Sequence, residues 1–315
     1  MFANTNELYT LMTHTNPISQ LRSIFGKRLQ EHAQLAAYTS ARIGGPADVL
    51  ITVTSADEMA AAMRQLWVLD LPYVILGGGS NVLISDRGVR GVVVLNRAKA
   101  VRFDTGKTPM VLAESGVVIA NLARRVASHG LAGLEWAATV PGTVGGAVYG
   151  NAGAFGGDMA GTLVSAELLT DSGRERWPAD RLEYGYRTSI LKRRHSKTVV
   201  LSAELRLEHS TKEAVSAKVS EFSRRRKETQ PPGASMGSMF KNPPGDFAGR
   251  LIEAAGLKGT RIGNAEISQV HANFFINHGE TSAQDIRALV ELVQESVAVN
   301  SGVHLELEIE FIGEW

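Results

Sequence analysis

Two hydrophobic periodicities alternate along the chain. Residues 48–54 (DVLITVT) are rich in apolar β-branched positions and predict a strand. Ser55 and Glu58 follow at capping-box spacing, and Met59, Met63 and Leu66 then fall on one face of a predicted helix. Residues 73–76 and 92–95 are short apolar strands, the first running straight into a glycine turn. Residues 116–129 predict a helix whose Val117, Ala120, Leu122 and Val126 face a core. Residues 198–207 (TVVLSAELRL) alternate like a half-buried strand. The texture then changes: residues 211–229 are charged and helical, which places a domain boundary near residue 211. Thr281 and Gln284 repeat the capping-box spacing, and Ile286, Leu289, Val290, Val293 and Val297 recur behind them at helical intervals. The chain closes on a regular alternation. Val303, Leu305, Leu307, Ile309 and Phe311 face one way, and His304, Glu306, Glu308 and Glu310 face the other. Residues 1–20 are polar and aperiodic and are expected to be loosely attached. Hairpin-like strands mixed with helices predict an α+β protein rather than a regular doubly wound sheet.

Composition narrows the function. The 315 residues suffice for two or three domains at roughly 100–200 residues each. Hydrophobic residues at 44% and charged residues at 21% exclude global disorder. Lys and Arg total 33 against 32 Asp and Glu, a balance that gives no support for nucleic-acid or polybasic membrane binding. With no cysteine, thiolate catalysis, disulfides, iron–sulfur clusters and cysteine zinc sites are excluded. No metal-ligand spacing such as H-E-x-x-H occurs. No secretory leader is read at the N-terminus, and no apolar run approaches the ~18 residues of a membrane helix, so a soluble cytoplasmic protein is expected.

The 32 glycines are in excess, and they cluster. Three groups stand out: Ile43-Gly44-Gly45-Pro46, Gly77-Gly78-Gly79-Ser80-Asn81, and residues 141–157 (PGTVGGAVYGNAGAFGG). Turns without side chains let backbone N–H groups approach an anion, so three such groups beside predicted strands point to a phosphate-bearing ligand. Neither common phosphate motif fits. Val82 stands where G-x-G-x-x-G needs its third glycine, and Val101 stands where a P-loop ending in Gly106-Lys107-Thr108 needs its first. Other side chains offer chemistry. Arg187, within Tyr184-Gly185-Tyr186-Arg187-Thr188-Ser189, is suited to clamp a carboxylate or phosphate. Ser238, in Gly237-Ser238-Met239-Phe240-Lys241-Asn242-Pro243, sits on a turn but lacks the esterase elbow, because Met236 precedes it by two. Each has a plainer structural reading: a surface Arg, a serine of a local turn, a solvated acidic face for Glu306, Glu308 and Glu310, and a satisfied core histidine for His271. The basic run Arg224-Arg225-Arg226-Lys227 reads as a solvated face, a helix C-terminus complement or a phosphate contact.

The order of the motifs carries more than any one of them. TSARIGGPAD, LGGGSNVLISD, GLEWAATVPGTVGGAVYGNAGAFGG, YGYRTSIL, GSMFKNPPGDFAGRLIEAAGLKG, IGNAEISQVHANFFIN and LELEIEFIG follow one another from about residue 38 to the end. The sequence thereby resembles the UDP-N-acetylenolpyruvoylglucosamine reductase family, flavoenzymes of peptidoglycan precursor synthesis. The resemblance implies an FAD-binding region of two α/β subdomains, of the vanillyl-alcohol-oxidase rather than the Rossmann type, and a C-terminal α+β substrate domain. The corresponding bounds are 21–210, split near 97, and 211–315. It implies NADPH as reductant, UDP-N-acetylglucosamine enolpyruvate as substrate and a monomer.

The resemblance also assigns residues. Arg187, Ser238 and Glu308 match the catalytic positions, with Ser238 as proton donor. FAD falls to Ile43, Gly44, Gly45, Gly77, Gly78, Gly79, Ser80, Asn81, Val82, Leu83, Ser115, Gly116, Pro141, Gly142, Gly145, Gly146 and Gly153. The segment between Arg187 and Thr211 is too short for the tyrosine-bearing loop of longer members, so another residue must close over the UDP. Arg225, Lys227 and Asn242 are the candidates, and Tyr149 and Tyr186 are expected to line the substrate cavity. A flavin oxidase of another substrate and a non-catalytic relative are the competing readings.

Overall fold

The computed structural model describes residues 17–194 and 196–315. A first sheet runs in the order Leu29–Gln34, Pro46–Val53, Val89–Asn96, Tyr73–Leu76, its first pair antiparallel and the rest parallel. The helix Ala56–Val68 covers it with Met59, Met63 and Leu66, all fully buried. Ser55 accepts from the Glu58 N–H at 3.1 Å, while the Glu58 carboxylate turns to Thr54. The helix Pro17–Phe25 adds Leu21 and Phe25 to the same core. Residues 17–20, expected to be loose, therefore open a packed helix. The remainder of that expectation, residues 1–16, lies outside the described residues.

The second sheet is antiparallel throughout, in the order Gly173–Pro178, Leu163–Thr170, Val199–Arg206, Met110–Glu114, Val101–Asp104. The helix Ile119–Ser128 packs on it with Leu122 and Val126. This helix starts later than the sequence pattern suggests, because Val118 is extended and bridges Thr143. The helix Lys212–Thr229, capped by Thr211, buries Val215 and Phe222. Phe222 stacks on Phe155 at 4.5 Å, which holds this helix to the second sheet's unit.

The last third builds its own core from the helices Ala248–Ala254 and Ala283–Ser301 and the sheet Arg261–Ile262, Ala265–Ile267, Phe275–Asn277. Ile286, Leu289, Val290, Val293 and Val297 all point into it. The N-cap of Ala283–Ser301 corrects the sequence reading by one residue. Ser282 and Asp285, not Thr281 and Gln284, exchange the two bonds of the capping box. Asp86 reinforces this start from the first unit, accepting from the N–H groups of Ala283 and Gln284. Ala41, Ile43 and Leu83 also enter the core of the last third, so the units share apolar surface.

The closing segment departs from the regular strand expected of it. Leu307 bridges Phe240 in antiparallel fashion, the chain bends at residues 308 and 309, and only Glu310–Ile312 is regular strand, parallel to Val82–Ile84. A segment that changes partners part-way does not keep one face to water. Glu306 is 78% exposed at its side chain, but Glu308 only 18%.

Candidate active site

Arg187 owes its placement to an unusual backbone. Its φ is +56°, in the left-handed region, which costs a non-glycine residue roughly 1–2 kcal/mol. Its neighbours fix that conformation. Gly185 and Thr188 bridge each other, and Asn151 donates to the Gly185 carbonyl at 3.0 Å. Ser189 caps the short helix Ile190–Arg193 and donates to the Tyr149 carbonyl at 2.6 Å. So held, the Arg187 Nε donates to Glu308 Oε1 at 2.8 Å and its Nη2 to the Gly153 carbonyl at 2.9 Å. A guanidinium has five N–H donors, and two are used here.

Glu308 is held by its own backbone. Its N–H donates to the Met239 carbonyl at 2.9 Å, and its carbonyl accepts from Asn81 Nδ2 at 3.0 Å. Ser238 is the residue before Met239 and bridges Phe274. Among the described residues its hydroxyl has no hydrogen-bond partner, so it is available to a ligand. The closing segment thus links four distant pieces: the Arg187 turn, the Ser238–Phe240 segment, the Asn81 glycine turn and the strand Val82–Ile84.

The electrostatics follow from burial. Desolvation pushes the Glu308 carboxyl above the usual carboxylate range, against the pull of Arg187, Lys192 and Lys241. Lys192 is 3.0 Å from Glu310, and Lys241 is 3.2 Å from Glu306. Burial, aided by Glu310, pushes the Tyr149 phenol up to about 12, so it remains an O–H donor at neutral pH. Lys192, Lys241 and Glu310 escaped the sequence reading as site residues. The available signals were their spacings: Lys192 five residues after Arg187, Lys241 three after Ser238, and Glu310 two after Glu308.

The glycine turns meet the requirements of a phosphate cradle. A Cβ on Gly78 would stand 2.9 Å from the Gly142 Cα, so the two turns touch backbone to backbone. Gly79 has φ +59° and lies against the Tyr38 carbonyl. The N–H groups of Gly78, Gly79, Ser80 and Asn81 donate to nothing among the described residues. Successive free N–H groups on a turn are what an anion needs. Other members of the expected FAD set make bonds and contacts within the protein. The Gly44 and Gly45 carbonyls accept from Ala36 and Leu35, and the Gly45 N–H donates to the Ser85 carbonyl. Ser115 is buried, its hydroxyl accepting from Asn96 and its carbonyl from Gly145. Gly116 packs against Ala98. Pro141 and Gly142 lie along the facing turn, where Gly142 is close to the Ser80 hydroxyl, and Gly146 stands in the first turn of the helix Val144–Gly150, its N–H donating to the Thr143 cap. Val82 is half-buried in its strand, and Leu83 points into the core of the last third.

The expected UDP contacts are less concentrated. Arg225 is exposed above the Phe155 ring, and Lys227 is exposed. Asn242 accepts from the Ala248 N–H at 3.1 Å, so its carbonyl is spent on starting a helix. Tyr186 is 52% exposed, with the Arg187 guanidinium 5.2 Å from its ring centre. Arg226, rather than either neighbour, reaches inward, to Thr139 at 3.4 Å.

Comparison with known proteins decides the family. The family profile described as the UDP-N-acetylenolpyruvoylglucosamine reductase C-terminal domain matches residues 228–312, and an FAD-binding-domain profile matches residues 47–177. UDP-N-acetylenolpyruvoylglucosamine reductase of Chloroflexus aggregans is 44% identical over 292 residues, covering 90% of this chain and 97% of that protein. The chain belongs to the UDP-N-acetylenolpyruvoylglucosamine reductase family. The Bacillus velezensis member is 38% identical over 300 residues, covering 95% of this chain and 98% of its own. The crystal structure of the Thermus caldophilus reductase superposes with a TM-score of 0.78 at 36% identity, covering 90% of this chain and 99% of that one. The reductase fold is therefore α+β with an FAD-binding domain, as the motifs implied. Within the reductase frame the glycine turns from Gly77 to Gly157 fall in the FAD-binding match, and Ser238 and Glu308 in the C-terminal match. Arg187 lies between the two.

Proposed function

We propose that the chain is an NADPH-dependent UDP-N-acetylmuramate dehydrogenase. It reduces the enolpyruvyl ether of UDP-N-acetylglucosamine enolpyruvate to the lactyl ether for peptidoglycan synthesis. The observation that carries the reading is the Arg187–Glu308 pair, set on a segment bonded beside Ser238 and beside the glycine turn at Asn81. FAD, when bound, supplies the hydride for the terminal enol carbon and takes it in turn from NADPH. Gly78, Gly79, Ser80 and Asn81 would hold its phosphates.

The protein's share is placement, charge and a proton. Hydride addition leaves negative charge delocalised into the neighbouring carboxylate. The three uncommitted N–H donors of Arg187 suit that carboxylate and stabilise the growing charge. Ser238, with its free hydroxyl, gives the proton to the carbon bearing the ether oxygen. A serine is a weak acid, so placement matters more for it than for a carboxylic acid. Glu308, whose carboxyl burial pushes upward, stands beside Arg187 to hydrogen-bond the same intermediate. Tyr149 keeps its proton and offers a further O–H beside Glu310.

In this reading residues 21–210 serve FAD and residues 211–315 the substrate, with the helix Lys212–Thr229 packed on the second sheet's unit as it leads from one to the other. We also read the chain as a cytoplasmic monomer acting on a small molecule alone. No helix among the described residues is long and apolar enough to cross a membrane. The test is direct: the purified protein should oxidise NADPH faster on addition of UDP-N-acetylglucosamine enolpyruvate and yield UDP-N-acetylmuramate by mass. NADPH oxidation indifferent to that substrate would overturn the reading.

A further inference from the structure

Asn273 makes an unusual set of bonds for a buried amide. It is 2% exposed. Its Oδ1 accepts from the Phe240 N–H at 2.9 Å, and its Nδ2 donates to the Phe240 carbonyl at 2.8 Å. Its own carbonyl accepts from the Met239 N–H at 2.9 Å. Its N–H donates to His271 Nδ1 at 3.2 Å, which fixes the loop it stands on. Phe274, the next residue, bridges Ser238. One side chain thus satisfies both backbone groups of residue 240, which its bridge with Leu307 leaves unpaired, and it does so directly after the residue whose carbonyl receives the Glu308 N–H. A buried amide with both ends satisfied tolerates little displacement, because each lost bond leaves a desolvated group unpaired at about 1–3 kcal/mol.

We propose that Asn273 is a positioning residue for proton delivery, locking the 238–240 backbone so that the Ser238 hydroxyl keeps its place relative to Arg187 and Glu308. The inference rests on the proposed function, in which Ser238 is the donor. Asn273 touches neither substrate nor cofactor in this scheme. It acts through Met239 and Phe240, and a shift of about 1 Å at a reacting group is enough to cost on the order of a hundredfold in rate.

The test separates the two half-reactions in the FAD-loaded enzyme. In Asn273→Asp the carboxylate still accepts from Phe240 N–H but, when ionised, opposes the Phe240 carbonyl instead of donating to it. Reduction of the flavin by NADPH should change less than about twofold, while reoxidation by UDP-N-acetylglucosamine enolpyruvate should fall by about tenfold or more. Burial raises a carboxyl into the range where it protonates and donates again. Relative to wild type, reoxidation by Asn273→Asp should therefore recover as the pH is lowered. Should that variant not fold, as judged by bound FAD and circular dichroism, Asn273→Ser carries the same half-reaction comparison without the buried charge. Equal loss in both half-reactions, or no loss in either, would overturn the inference. Ser238→Ala run in parallel distinguishes the failures. If it spares reoxidation, the proposed function's proton donor is wrong. If it blocks reoxidation while the Asn273 variants do not, only the positioning role falls.

Discussion

Arg187 and Glu308 lie 121 positions apart and share a hydrogen bond of 2.8 Å. The bond ties a left-handed turn, between the second-sheet strands Gly173–Pro178 and Val199–Arg206 in sequence, to the last segment of the chain, where that segment passes from Phe240 to the strand Val82–Ile84. Either partner alone has an ordinary structural explanation. Together, half-buried and with donors to spare, they are what the proposed function needs to hold the substrate carboxylate.

Removing the guanidinium should therefore damage turnover more than folding. Arg187→Ala should retain bound FAD and lose about 10²–10³ in kcat/KM for the enolpyruvyl substrate, the usual loss for a donor aimed at developing negative charge. Steady-state kinetics with the flavin content measured on the same sample checks this. Unchanged kinetics would remove Arg187 from the site.

Glu308 gives a pH dependence of definite sign. Burial raises its carboxyl from the ordinary 4.5, so the folded protein holds that proton more tightly than the unfolded chain. Its contribution to stability is present below 4.5 and is lost as the pH rises through the higher folded value. The melting-temperature advantage of wild type over Glu308→Gln should shrink as the pH rises across that window. Turnover should show a matching decline with rising pH that is absent from the residual activity of Glu308→Gln. A stability advantage that grows with pH would mean that the cations around Glu308 outweigh its burial.

The cradle makes its own demand. Gly78 has an ordinary φ, so the close approach to Gly142 is what excludes a side chain. Gly78→Ala should fold but bind FAD weakly, seen as a fall in flavin per mole of purified protein with the circular dichroism unchanged. Full flavin occupancy would mean that the two turns need not touch.

Asp86 caps the helix Ala283–Ser301 from another unit, beside the local cap from Ser282. Asp86→Ala should cost about 1 kcal/mol, a fall in melting temperature of about 2 °C for a chain this long. No shift in thermal unfolding would show that Ser282 alone sustains the helix start.

Much of this was legible in the sequence. The helix over Met59, Met63 and Leu66 and the apolar stripe from Ile286 to Val297 were readable because each keeps one helical period, and the strand at residues 73–76 because it is a short apolar run ending at a glycine turn. The order of glycine motifs gave the family, and Arg187 and Glu308 prove to be in contact. What the sequence hid depends on partners far along the chain. Glu308 sits in an alternation that reads as a solvated face, and only the change of partner at residues 308 and 309 buries it. The cap at Ser282 was missed by one residue because Thr281 and Gln284 show the same spacing as Ser282 and Asp285. That the Asn242 carbonyl accepts from the Ala248 N–H at a helix start is likewise not visible locally. Asn273 shows no role in the sequence, since nothing local reveals that its amide pairs with Phe240.

The most direct measurement is a single turnover. Wild-type and Ser238→Ala enzyme, each loaded with FAD and reduced by one equivalent of NADPH without oxygen, are mixed with UDP-N-acetylglucosamine enolpyruvate, and the return of the oxidised flavin spectrum is timed. Both should reduce at the same rate, wild type should reoxidise rapidly with formation of UDP-N-acetylmuramate, and Ser238→Ala should reoxidise slower by about 10² or more. Wild-type enzyme that stays reduced in the presence of that substrate, or a serine variant that reoxidises as fast as wild type, would contradict the proposed chemistry.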